Sequence, residues 1–563
     1  MTRTRILQSL TGILMMMLSF SVLSAAQQPS FKAGQDILIL GHDDAQITLY
    51  LAPTTESSVI AVVPGGIIAH ITTDPKTVDS VIWLRIRGYP VEGWAMAETK
   101  GTPNFALWTD KLDQKVSADA AVRTAQNPTD AEAFYQLGII DMNHQQYEDA
   151  TNMFSQAIDL KLNKSLVYYF RGLAYSKLNR NSEALPDFNL AILIDPDTLF
   201  FYTELGNVYK ALGNKQQAIA EFEIAIRHNP DYLPARNNRA IIYQELGNND
   251  EALKEYDTIL KADALYARVY NNRAIVFEAM GDTTRAIKDY EQALAAEPDY
   301  TDAMVNLGKR YQQDGDFDKA LRLFNEAIRI APDGARAYQQ RGIIYVSTSD
   351  YGKAEGDFKR ALQLQPNNAN TLYNLGTLYY QEGKYQLAID FLSQAIKLNP
   401  FYLAAYQNRG ISYQMLSQYD AAINDFTQGI RINPNFTLAY IQRCSVYYQL
   451  TSYAAAIEDC SKALELYPYS MVALQYRADA YSFTDQETEA IADYRVLIQI
   501  DPNNAAQYYQ SIGNLYFRLE RTQEAVEAYD QYLLLQPNAS QDFIEFLQGL
   551  REDLIATPEG TPQ

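Results

Sequence analysis

The chain has 563 residues, a formal net charge of −21, 47% hydrophobic residues and 21 prolines. That length exceeds one compact core, so the chain holds several domains or an extended array. The negative field repels phosphate backbones and anionic lipid, which argues against nucleic acid as a partner, and the apolar content argues against disorder.

Arg3 and Arg5 precede an apolar run to Leu23 and then the small residues Ser24, Ala25 and Ala26. This is the layout of a secretory signal peptide over 1–26, cut after Ala26. An uncleaved anchor is the alternative, because the apolar run is nearly long enough to span a bilayer. No later segment has that apolar length. The expected location is outside the cytoplasm: periplasmic, cell-surface or extracellular.

From 33 to 101, the runs DILIL, ITLYL, VIAVV, GIIAHI and VIWLRIR alternate with turn residues, the texture of a small β-barrel. The stretch APTTESSVIAVVPGG, Trp83 in WLRIR and the pair Gly93-Trp94 resemble bacterial SH3-like (SH3b) domains. The resemblance implies binding of cell-wall polymer or peptide. The other reading is a spacer with Trp83 and Trp94 in its core.

Helical periodicity begins at 109–127, read as an N-terminal capping helix, and is followed over 129–537 by a repeat. Pro196, Pro230, Pro298, Pro332, Pro366, Pro400, Pro434, Pro468 and Pro502 lie on multiples of 34 residues. With each proline at position 32, position 8 is always small (Gly138, Gly172, Ala240, Gly410, Cys444), position 20 is alanine, and position 24 is mostly Phe or Tyr. A twelfth unit carries one extra residue near 503–505. These residues carry a resemblance to the tetratricopeptide repeat (TPR) family. It implies a mainly α fold, a right-handed α-solenoid of about twelve repeats behind the β module. Small residues at 8 and 20 let two antiparallel helices approach, the aromatic at 24 fills the gap to the next pair, and the proline stops the second helix. Residues 538–556 read as a C-terminal capping helix, and 557–563 as a tail.

Stepping 100° per residue along the first helix of a unit puts positions 4, 7, 8 and 11 on a packing arc and 2, 5, 6, 9, 12 and 13 opposite. The TPR resemblance makes the second arc the inner, partner-holding surface. It carries Asn237, Asn238, Asn271, Asn272, Asn306, Gln339, Gln340, Tyr373, Asn374, Gln407 and Asn408. Amides donate and accept, so a ladder of them can hold the backbone of an extended peptide, in the manner of the asparagine ladder in O-GlcNAc transferase. In a merely solvated groove the same amides bond to neighbouring repeats. Position 7 holds Arg171, Arg239, Arg273, Arg341, Arg409, Arg443 and Arg477 where the family more often has leucine; their stems are expected to pack while the heads reach outward, towards the many acidic side chains.

Cys444 and Cys460, at positions 8 and 24 of the tenth unit, fall level with one another if the hairpin turns near position 16. A disulfide is expected, two small buried thiols being the alternative. His42, His70, His144 and His228 are scattered, with no acidic or Cys cluster at ligand spacing, so no metal or cofactor is expected, and no catalytic motif stands out. The reading is a non-enzymatic scaffold for protein or peptide partners of unknown identity. Its alternative is an envelope tether whose β module grips wall polymer.

Overall fold

The computed structural model describes strands between Asp36 and Leu107 and the continuous chain from Asp110 to Ala556, with side chains for residues 117–552 and 554 save 119. The expected signal segment 1–26 and tail 557–563 lie outside the described residues. Two compact units are present, Met1–Arg310 and Tyr311–Gln563.

Among the described residues the first unit opens with ten strands: β1 Asp36–Ile39, β2 Gln46–Tyr50, β3 Val59–Pro64, β4 Ile68–Ile71, β5 Lys76–Val78, β6 Val81–Arg87, β7 Glu92–Met96, β8 Glu98–Thr99, β9 Thr102–Pro103 and β10 Phe105–Leu107. Pairing gives the order β10-β1-β4-β6-β7-β2-β3, with β5 on β6 and a separate β8–β9 ribbon. The sheet runs past residue 101, because Ile37–Ile39 pairs antiparallel with Phe105–Leu107 and so has its edge covered.

Twenty-six α-helices follow among the described residues, from Asp110–Gln126 to Gln541–Ala556. Between these two, helices alternate as pairs; in the fourth repeat they are Leu233–Glu245 and Asn249–Ala262. Position 15 has left-handed φ in every repeat, from Gln145 at 62° through Gly247 at 77° to Glu520 at 57°. This residue reverses the chain, so that the N–H of Asn248 returns to the Tyr243 carbonyl at 2.8 Å. Glycine takes that φ without strain; elsewhere Asn179 or Thr451 holds it. The extra residue of the twelfth unit is absorbed in a 3-10 turn, Pro502–Asn504, and a 14-residue first helix, Ala505–Arg518.

The ring at position 24 lies over position 8 of its own repeat and also reaches the next one, Phe154 standing 6.0 Å from Phe170 and Tyr494 6.1 Å from Tyr508. A Cβ on Gly138, Gly206 or Gly410 would stand 2.5, 2.5 or 2.6 Å from the Cε1 atom of Phe154, Phe222 or Phe426. Where position 8 is alanine, position 24 is tyrosine: Tyr256, Tyr290 and Tyr494 donate their hydroxyls to Gln244, Glu278 and Asp479. Gly410→Ala is therefore expected to lower stability by about 1–3 kcal/mol through overpacking. Urea unfolding of the full chain checks this, and an unchanged transition would refute the close contact.

Burial on the first helices is wider than the predicted packing arc. Position 3 is buried in all twelve repeats, as at Ala133, Val269 and Ala439, and position 10 nearly so, as at Ile242 and Ile344. The physical reason is that a first helix packs on its own second helix and also on both helices of the preceding repeat. Both ends are closed by single helices. Arg123 of Asp110–Gln126 donates to Gln136 at 2.8 Å and to Asp130 at 3.0 Å. The last helix buries Leu547 and Leu550 and sets Phe543 5.2 Å from Tyr529.

Candidate functional site

Within each unit the first helices of successive repeats touch one another, which aligns their position-5 and position-6 side chains into a row. In the first unit that row is tied together internally. Asn238 donates to Asn207 Oδ1 at 3.0 Å, Asn272 to Asn237 Oδ1 at 3.2 Å, and Asn306 to Asn271 Oδ1 at 2.9 Å. Asn271 is buried, and the other five are half-buried. Each of these bonds crosses a repeat junction, so the amides act as cross-links between neighbouring helices.

The second unit differs. Asn408 donates to Tyr373 Oη at 3.3 Å and to Thr377 Oγ1 at 3.0 Å, and the Tyr373 ring packs 4.9 Å from Tyr402. Gln339, Gln340, Asn374 and Gln407 are half-buried on the same arc and have no hydrogen-bond partner among the described residues. An amide left without an internal partner at a half-buried surface keeps its donor and acceptor available to an incoming chain. The eleven predicted residues thus separate into tied and available sets.

The position-7 arginines do not reach outward. Each pairs with an acid at position 23 on the second helix of its own repeat, sixteen residues on: Asp187, Glu255, Asp289, Asp357, Asp425, Asp459 and Asp493. Arg409 is typical. Its Nε and Nη2 donate to the two Asp425 oxygens at 2.8 and 2.7 Å, and its Nη1 donates to Ser393 of the preceding repeat at 2.9 Å. The guanidinium also lies 5.6 Å from the Tyr406 ring and 5.9 Å from that of Tyr413. One planar fork therefore fixes three helices. Burial raises the Asp187, Asp425 and Asp459 carboxyls above the ordinary range, with the paired arginine pulling against it.

Cys444 and Cys460 form a disulfide, with Cα atoms 5.6 Å apart. They occupy the positions that a glycine and a phenylalanine hold in neighbouring repeats. His228 Nδ1 lies 2.9 Å from the Ile224 carbonyl, and its ring stacks on Tyr202. Among the described residues no cluster of His, Cys, Asp or Glu can hold a metal ion, and no helix is long and apolar enough to cross a membrane.

Helix pairs repeating at this interval, joined by conserved geometry at positions 7, 8, 23 and 24 within the chain, define a repeat scaffold of the class that binds protein or peptide partners. Models of the tetratricopeptide repeat match residues 231–299, 265–333 and 299–367, residues 369–402 and 404–436, and residues 166–198, 201–232 and 506–539. The chain is a tetratricopeptide repeat protein. Among solved structures it is similar to YrrB, described as a TPR protein with an unusual peptide-binding site, at 23% identity over 33% of this chain and 96% of that one, TM-score 0.30. It is also similar to pilF of Pseudomonas aeruginosa, at 20% identity over 36% and 92%, TM-score 0.33. MamA matches at 29% identity over 28% and 94%, TM-score 0.28. No curated protein matches the chain.

Proposed function

We propose that the chain is an extracytoplasmic scaffold that holds an extended peptide segment of a protein partner along the position-5 and position-6 arc of its second unit. The observation that carries this reading is the set Gln339, Gln340, Asn374 and Gln407, whose amides have no partner among the described residues while their counterparts in the first unit are consumed by one another. Spaced amides suit a peptide backbone, which offers alternating N–H and C=O groups irrespective of side chains. Export is supported by the Arg3 to Ala26 signal pattern and by the Cys444–Cys460 bridge, a bond that persists in oxidising compartments. The β module, on its SH3b resemblance, adds a second contact, to peptide or wall polymer.

Random peptides displayed to the full chain provide the test. The triple variant Gln340→Ala, Asn374→Ala, Gln407→Ala is expected to weaken selected peptides roughly tenfold or more, at about 0.5–1.5 kcal/mol per lost hydrogen bond. Equal affinity for wild type and variant would defeat the reading.

A further inference from the structure

The tenth and eleventh repeats keep one amide each, Gln442 at position 6 and Gln475 at position 5, and add a cluster of rings. On the same arc, positions 12 and 13 bring Tyr448 and Phe483, position 6 brings Tyr476, and Tyr453 opens the adjoining second helix. The Tyr448 ring lies 5.4 Å from Tyr476, 5.7 Å from Tyr453 and 6.4 Å from Phe483, and Tyr453 stacks on Phe483 at 4.9 Å. Phe483 is 60% exposed. Elsewhere in the array the chain's own arginines lie against the tyrosines of the packing arc; among the described residues none lies over these four rings.

Beside them, at position 9, is Asp479. Other repeats of the second unit have Ile343, Thr377, Ile411, Ser445 and Asn514 there. Asp479 is half-buried; it accepts from Gln475 Nε2 at 3.0 Å on both oxygens and from the Tyr494 hydroxyl, and no Lys or Arg of the described residues pairs with it. Asp479 stands three residues after Tyr476 and four before Phe483, on one face of the helix Met471–Ser482 and its C-cap residue, which puts its charge beside the rings; burial first, and then that charge, raise the Tyr448 phenol above its ordinary value. The position-7 arginine of this repeat, Arg477, is already engaged by Asp493. A carboxylate held by neutral donors keeps its negative charge uncompensated and has lone pairs left over. Aromatic faces next to it attract cations and exclude anions.

We propose that Asp479, Tyr448, Tyr476 and Phe483 form a socket for one cationic side chain, arginine or lysine, of the peptide bound along this arc. The proposal rests on the groove reading above and deepens it. Asp479 receives the charge, Gln475 and Tyr494 fix the carboxylate, and the rings cover the aliphatic stem and the face of the head group. The overall charge of −21 favours the approach of such a segment.

The test uses the full chain and peptides selected from a random display library. The expected result is enrichment of Arg or Lys at one register, with roughly tenfold loss of affinity when that arginine is replaced by neutral, isosteric citrulline. Asp479→Asn, which retains an acceptor for Tyr494, should show the same loss, and the two changes together should lose no more than either alone. Tyr476→Ala should weaken binding where Tyr476→Phe does not, and circular dichroism should be unchanged for all variants. Peptides captured without cation preference, or bound equally by Asp479→Asn, overturn the socket and leave the amide groove standing. Failure to capture any peptide overturns both.

Discussion

Arg409→Leu is expected to destabilise the ninth repeat by about 3–5 kcal/mol, because it leaves the Asp425 carboxylate buried without its counter-charge. Asp425 is 1% exposed, so water cannot replace the lost partner. The double variant Arg409→Leu, Asp425→Leu should recover most of that loss, since exchanging a whole buried ion pair for apolar groups is often neutral. The two single changes and the double form a thermodynamic cycle whose coupling measures the pair. The sign of the pH dependence follows from burial. Asp425 has a folded pKa raised above its unfolded value. Its protonated form therefore favours the fold, a contribution fully present below the unfolded pKa and lost as pH rises through the folded one. The Arg409→Leu penalty should accordingly shrink on acidification, as the orphaned carboxyl takes up a proton. Amide hydrogen exchange of the helices Leu403–Met415 and Tyr419–Ile432 at two pH values reads both effects locally. Small, pH-independent losses would show that the stem packing, and not the charge pair, holds the repeat.

Removing the disulfide by Cys444→Ala, Cys460→Ala is expected to cost the tenth repeat about 3 kcal/mol, the loop-closure value for a bridge spanning 16 residues. A sharper outcome comes from the neighbouring repeats. Cys444→Gly, Cys460→Phe installs the contact seen at Gly410 and Phe426, so it should recover part of the loss, which the alanine pair should not. Thermal unfolding of the three proteins decides the order. Mass measurement with and without reduction checks the bond itself, and two free thiols in the non-reduced protein would contradict it.

Much of this architecture was legible in the residues. The interval of the prolines, the small residue at position 8 and the alanine at 20 delimit the helix pairs, and the cysteine spacing places two side chains level across a hairpin. The same spacing of sixteen links every position-7 arginine to an acid, Arg171 to Asp187 through Arg477 to Asp493, and would have revealed the seven pairs. A long stem and a mobile head give an arginine many acids within reach, which hides the particular partner until that spacing is applied. The aromatic at 24 meets the next repeat as expected, but its contact with position 8 of its own repeat appears only in the fold, because a sequence period gives the level of a side chain and not the direction in which its ring turns.

The sequence by itself determined what depends on intervals along one chain: the pairing of helices, a hairpin turn near position 16, the level of the two cysteines and the arc on which the amides stand. Only the tertiary structure decided which amides are tied and which are available. That depends on how far apart successive first helices stand and on the rotamers their neighbours allow, and it separates Asn272, bonded across its junction, from Gln340 and Asn374, which are not. The same is true of Asp479. In the sequence it is one acid among 68 Asp and Glu residues, and its solitude among aromatic rings exists only once two repeats are packed together.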